Sequence, residues 1–200
     1  IRSSGVFFTA ERIGNKNYFG AKIIPNRGAW LEFETDSSGV IGVKIDRRRR
    51  IMATTLLKVL GLFQEESIKE IFQDVDNGEL KYIEETLKRD TAKSQADAFL
   101  EVYQRLRPGD LASAETAKEL VENVFFNFER YDLSSVGRWK MLQRLPALLK
   151  DKKKEEIQIS DRILTLEDVI QVIKEIIRLN NNPEAQPDQI DHLGNRRVRG

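Results

Sequence analysis

The repeat of apolar residues changes once along this chain, close to Arg50, and that change restricts the available folds more than any other feature. Residues 18–24, 30–35 and 40–45 are rich in aromatic and β-branched side chains and alternate as strands do. Pro25-Asn26-Arg27-Gly28 and Asp36-Ser37-Ser38-Gly39 supply turn chemistry between them. Alternation places Leu31 and Phe33 on one face and Glu32 and Glu34 on the other, with Trp30 beside the glutamates on the wet side. Such a tryptophan is either a lid over the edge of the core or a stacking platform. After Arg50 the spacing becomes helical. A short helix over residues 53–60 stops at Gly61, a second covers 65–73, and longer apolar stripes follow the N-cap candidates Ser113 and Thr165. Thr165 has Asp168 three residues on, as in a capping box, and Asn180-Asn181-Asn182-Pro183 ends that stretch. The expected fold class is α+β, a small antiparallel β-meander sheet followed by a mainly helical part.

Of the 200 residues, 40% are hydrophobic and 32% charged, which excludes disordered and collagen-like chains and permits a sizeable core. The absence of cysteine removes disulfides, thiolate metal sites and cysteine nucleophiles, and favours an intracellular origin. His192 is the single histidine, so no site is built from several imidazoles. Apolar runs such as residues 56–62, interrupted by Lys58, are too short to span a bilayer, which predicts a soluble protein with no membrane partner. The chain opens Ile1-Arg2-Ser3-Ser4 without methionine and stops at Gly200 inside a basic run, which reads as a piece of something longer.

The net charge of +1 conceals segregation. Residues 44–50 hold five basic side chains and one acid, residues 63–90 hold nine acids and four bases, and the last ten residues are again basic. A charge run is ordinarily a solvated face. Asp74-Val75-Asp76-Asn77-Gly78 with Glu85 approaches a calcium loop, but its glycine falls one position early. Glu84 and Glu85 point to different azimuths of a charged helix. No Walker, Rossmann or nucleophile-elbow pattern occurs, so no catalytic residue and no metal ligand is assigned. His192 reads as a structural residue. Near the end, Arg196 can fork onto the O6 and N7 of a guanine, and Asp191 can accept from the Watson–Crick edge of that base when it is unpaired. The pair describes a reader of single strands.

Ile190-Asp191-His192-Leu193-Gly194-Asn195-Arg196-Arg197-Val198-Arg199 resembles a signature of the β-subunit family of bacterial RNA polymerases. Arg2-Ser3-Ser4-Gly5-Val6-Phe7-Phe8 is similar to that family's Arg-Ser-Pro-Gly-Val-Phe-Phe. The stretch from Ile23 through Pro25-Asn26-Arg27-Gly28-Ala29-Trp30 to Glu34, with Lys44-Ile45-Asp46-Arg47-Arg48-Arg49-Arg50, matches the next block. Arg105-Leu106-Arg107-Pro108-Gly109-Asp110 resembles the family's gate loop, and Arg130-Tyr131-Asp132-Leu133-Ser134-Ser135-Val136-Gly137-Arg138 a further block. The five blocks stand in the family's order over nearly the whole chain.

The resemblance implies the β lobe: one domain over residues 1–200, strand-rich over residues 1–50 and helical over residues 51–180, with a return segment over residues 181–200 toward the rest of the subunit. The brief acidic passage at 74–89 implies a version without the large insertion the family often carries. Implied too is contact with downstream DNA and the non-template strand of the transcription bubble. Arg2, Asp191 and Arg196 would form a pocket for an unstacked guanine, with Ile190 beside it. Trp30 would stack on the neighbouring base, Asp46 and Arg47 would lie close by, and Arg48 would join the run facing phosphates. The gate loop, Arg105, Arg107, Pro108, Gly109 and Asp110, would approach the opposing clamp, where elongation factors touch. Implied partners are DNA, the α and β′ subunits, sigma factor and elongation factors. The implied setting is the bacterial cytoplasm and nucleoid. The nucleotidyltransferase as a whole would use Mg held by another subunit, and this segment alone would be inactive. Ser4 and Met52 stand where the family has proline, which predicts looser turns, and residues 139–143 also depart from its pattern. A second reading is a stand-alone interaction module for initiation or elongation factors, with DNA contact incidental.

Overall fold

A computed structural model describes residues 3–148 and 156–188. Five strands, β1 (Gly5–Ile13), β2 (Lys16–Ile24), β3 (Leu31–Thr35), β4 (Ile41–Ile45) and β5 (Ile51–Met52), form one antiparallel meander in chain order. Among the described residues seven α-helices follow: α1 (Ala53–Val59), α2 (Glu65–Phe72), α3 (Tyr82–Arg89), α4 (Gln95–Leu106), α5 (Ala114–Phe125), α6 (Ser134–Arg144) and α7 (Leu166–Asn180). The α+β class expected from the change of period is the one observed. One apolar core joins the inward sheet residues Ile23, Leu31, Phe33, Val43 and Ile45 to helical residues such as Leu56, Phe72, Val121 and Ile173.

The strand expected to begin at Trp30 begins at Leu31. The Trp30 N–H donates to a carboxylate rather than to a neighbouring strand. Strand β1 had no periodic signal, because Val6, Phe7 and Phe8 are all buried, and a strand covered on both faces does not alternate. The Asn180 amide N–H donates to the Thr35 hydroxyl and its side-chain oxygen accepts from the Phe19 N–H, fastening the end of α7 to the sheet. Both anticipated caps are made: Ser113 Oγ accepts from the Thr116 N–H, and Thr165 and Asp168 close a reciprocal box.

The two aspartates of the calcium-like loop are engaged by the protein itself. The Asp76 carboxylate accepts from the N–H groups of Tyr82 and Ile83, each at 2.9 Å, at the start of α3. Asp74 pairs with Lys174 at 3.2 Å.

Ser4 corrects one expectation. Its side chain is buried, lies 3.1 Å from the Ser134 hydroxyl and packs on Gly137, so the entry to β1 is fastened to α6 rather than loosened. Lys140 donates to the Ser3 hydroxyl alongside. The other edge of β1 is covered by the returning chain: the Asp188 N–H donates to Phe8 C=O at 2.8 Å, and the Phe8 N–H to the Asp188 carboxylate at 2.9 Å. The outer edge of β1 is thereby paired at Phe8. Arg144 reinforces the closure, donating to Asp188 at 3.2 Å and lying 4.4 Å from the Phe8 ring centre.

Candidate nucleic-acid interface

Register gathers several loops at one end of the sheet. Gly5 faces Ile24, Ile23 faces Leu31, and Leu31 faces Ile45, so the start of β1, the β2–β3 turn and the segment after β4 share that end. Neighbouring strands are about 4.8 Å apart, which puts these segments within roughly 15 Å of one another.

The β2–β3 turn is held rigidly. Gly28 has φ +122°, and a Cβ there would meet the Arg130 carbonyl at 2.8 Å and the Tyr131 ring at 2.9 Å, so only glycine fits. The N–H groups of Asn26 and Arg27 donate to Asp132 C=O, and the Asp132 N–H returns to Arg27 C=O. The Asp132 carboxylate accepts from Arg162 at 2.8 and 2.6 Å and from the Ser134 N–H at 2.7 Å. Burial raises its carboxyl, but the Arg162 and Ser134 hydrogen bonds and the Arg27 charge outweigh burial and leave it below its ordinary value. Arg27 and Arg162 both lie over the Phe128 ring, at 5.4 and 5.0 Å. Within the Arg130 to Arg138 block, Arg130, Tyr131 and Asp132 therefore buttress this turn, whereas Arg138 is directed to Asp168.

Trp30 leaves the turn partly exposed, and Asp46 grips its backbone twice. The Trp30 N–H donates to the Asp46 carboxylate at 2.9 Å, and the Asp46 N–H donates to Trp30 C=O at 3.0 Å. Asp46 and Arg47 both take left-handed backbone, φ +50° and +61°, with the Arg48 N–H closing the turn on Ile45 C=O at 3.0 Å. Left-handed backbone costs a non-glycine residue roughly 1–2 kcal/mol, and arginine has no short polar group to offset it. Strain of that kind persists where the surroundings over-determine it. The Arg47 guanidinium lies 5.9 Å from the Trp30 ring centre, and Nε is 3.8 Å from Glu32 Oε1. Arg48 and Arg49 are exposed. Arg50 lies over Gly42 and pairs with Asp36 at 3.5 Å.

The second cluster is the loop after α4. Arg105 donates to Arg50 C=O at 3.4 Å and pairs with Glu101, which ties the root of the loop to the basic turn. Arg107, Pro108, Gly109 and Asp110 are exposed; Gly109 has φ +85°, and the Asp110 N–H donates to Arg107 C=O. Tyr103 donates to the Asp110 carboxylate at 3.2 Å. Leu111 beside it is 97% exposed.

Trp30, Asp46, Arg47 and Arg48 are thus brought together, with Arg105 anchoring the loop next to them. Arg2, Ile190, Asp191 and Arg196 lie outside the described residues, as does His192. Glu32, Arg27 and Phe128 were not singled out from sequence. Alternation had placed Glu32 on the Trp30 face, whereas nothing local points to Phe128, which meets Arg27 only through the fold.

A family model described as RNA polymerase Rpb2, domain 2, matches residues 2–199. The chain is 42% identical over 203 residues to a DNA-directed RNA polymerase subunit beta of Dehalococcoides mccartyi, with all of this chain and 15% of that protein aligned. It is 39% identical over 212 residues to the same subunit of Streptomyces avermitilis, and 39% over 215 residues to that of Clavibacter sepedonicus, covering 17% of each. The chain therefore spans about a sixth of the relatives it matches. Its match from end to end with the domain model, carried by an α+β body whose sequence blocks buttress one sheet end, identifies it as a member of the RNA polymerase Rpb2 domain 2 family.

Proposed function

We propose that this domain serves as the lobe of an RNA polymerase β subunit, contacting downstream DNA and the non-template strand of the bubble. The observation that carries the reading is Trp30: a partly exposed indole, fixed through both backbone groups to Asp46, with the Arg47 guanidinium over its ring at the head of an arginine run. A base stacked on an aromatic ring contributes about 1–3 kcal/mol, enough to offset unstacking it from its neighbour. Arg47 to Arg50 supply phosphate contacts without regard to sequence. Arg2, Asp191 and Arg196, with Ile190, complete the reading as a pocket for an unpaired guanine. On this reading the domain contributes no catalytic group to the nucleotidyltransferase. Mg belongs to another subunit, and the α and β′ subunits and sigma factor are partners in the bacterial cytoplasm.

The test is a bubble with each base in turn at the non-template position, bound by the assembled polymerase. Asp191→Ala should make binding indifferent to guanine, a loss of roughly 1–3 kcal/mol of discrimination. Equal affinity for all four bases in the unaltered enzyme would sink the guanine pocket. A second reading, docking of an initiation or elongation factor, is favoured by Leu111, nearly fully exposed beside Arg107 and Asp110. Leu111→Ser should then abolish factor binding while leaving bubble affinity as it was.

A further inference from the structure

Glu32 is used neither by the core nor by the function proposed for Trp30. Its side chain is only 16% exposed, and Oε1 is buried with no hydrogen-bond donor. In the ladder it faces Lys22 on β2 and Lys44 on β4. The Lys44 ammonium is turned toward Glu34, at 3.2 Å. Lys22 approaches the other carboxylate oxygen, Oε2, at 3.8 Å. The cation nearest Oε1 in these pairs is Arg47, its Nε at 3.8 Å. The same guanidinium lies over the Trp30 ring, on a residue whose own backbone is held at φ +61°. A cation over an indole is attracted by the negative face of the ring, and a buried acceptor without a donor attracts it from the other side. Each attraction is weak for a side chain 80% exposed. Together they select one of the many positions an arginine can take.

An indole has two faces, and a guanidinium resting on one leaves the other for a base. We infer that Glu32 is a positioning residue for the Trp30 platform: acting through Arg47, it closes one face of the indole and so fixes the face on which a base stacks. This rests on the stacking role proposed for Trp30. It also divides the charge of Arg47 between Glu32 and the DNA backbone. Loss of Glu32 then weakens the base-dependent share of binding and strengthens the share that depends only on phosphates and salt.

The experiment uses polymerase assembled with the full-length subunit and a fork carrying a fluorescent aminopurine at the stacking position, against the same fork abasic there. The quantity read is the ratio of the two affinities, with quenching of the aminopurine as a direct report of stacking. Glu32→Gln keeps the shape of the side chain and should lower the ratio about two- to fivefold, reduce quenching, and steepen the salt dependence on the abasic fork. Arg47→Ala should lower the ratio by the same factor, and Glu32→Gln should add nothing once Arg47 is gone. An unchanged ratio in Glu32→Gln, or a full effect of Glu32→Gln without Arg47, overturns the inference. Trp30→Ala separates the two levels. A ratio that survives Trp30→Ala overturns the stacking reading and this inference with it. A ratio lost with Trp30 but indifferent to Glu32 overturns the inference alone.

Discussion

Two charged clusters in this molecule are built on opposite principles. Around Lys58, which is 1% exposed, the Asp90 carboxylate sits at 2.9 Å and Ala92 C=O at 2.5 Å; Asp90 is itself wholly buried and accepts from the hydroxyls of Thr54 and Thr55 at 2.7 and 2.9 Å. Every one of these contacts is short, and the backbone carrying them is regular helix or loop. Around Trp30 the ion pair between Arg47 and Glu32 is long, one carboxylate oxygen lacks a donor, and two consecutive residues are in left-handed backbone. The first cluster locks helix α1 to the loop between α3 and α4. The second holds polar groups in readiness on a surface, at some cost to the fold. That contrast distinguishes a structural network from the cluster proposed to bind DNA more sharply than residue type does, since both contain a carboxylate and a cation.

The largest effect should come from breaking the first cluster. Asp90→Ala takes away the close counter-charge of a buried ammonium, leaving it only the more exposed Glu65 carboxylate at 3.8 Å, and should lower stability by about 3–5 kcal/mol, read from the denaturant midpoint. A loss below about 1 kcal/mol would mean that water reaches Lys58. Next comes Gly28→Ala, where a Cβ meets backbone at 2.8 Å and φ is +122°. Destabilisation of about 2–4 kcal/mol is expected, together with weaker DNA binding because Trp30 is displaced. A fully stable Gly28→Ala protein would show that the buttress yields. Trp30→Ala should cost about 1–3 kcal/mol of bubble affinity with little change in thermal midpoint. The reverse pattern, stability lost and affinity kept, would make the indole a lid.

Arg47→Gly tests the comparison most directly. It relieves left-handed strain, which offsets the loss of a long ion pair to Glu32 made by a side chain itself 80% exposed, so stability should stay within about 0.5 kcal/mol of the parent. The salt slope of DNA binding should fall by close to one. Destabilisation beyond about 1 kcal/mol would place Arg47 in the structural class instead. The smallest effect is one of pH. Asp132 is held below its ordinary carboxylate value, so its contribution is complete above that value and fades as pH falls through the depressed one. Asp132→Asn should lower stability at neutral pH and flatten the loss on the acid limb, whereas an unchanged acid limb would leave Asp132 without a titrating role.

Much of this was legible in the residues. The alternation of Leu31, Glu32, Phe33 and Glu34 assigned the faces of β3 correctly, and with them the company Trp30 keeps. Ser113 and Thr165 announced their helices through local hydrogen bonding, which needs no distant partner. Strand β1 escaped because α6 and the sheet bury Val6, Phe7 and Phe8 alike, and the two-residue strand β5 is too short to show a period. The loop set aside as a calcium site for its early glycine has a role that spacing does not reveal: the N–H groups that satisfy Asp76 come from the start of a helix.

What this sequence determined unaided is everything that depends on neighbours along the chain: the period of each segment, the caps, the glycine turn before Trp30, and the family to which five ordered blocks belong. What tertiary structure alone decided is which charges meet. Asp46 reaches back sixteen residues to hold Trp30, Arg105 reaches fifty-five to Arg50, and Asp132 a hundred and more to Asn26 and Arg27. Hydrophobic pattern is a one-dimensional signal because burial is set by the face of each element. An ion pair or a hydrogen bond is decided by ångström distances between separate elements, and those exist only after the core has closed.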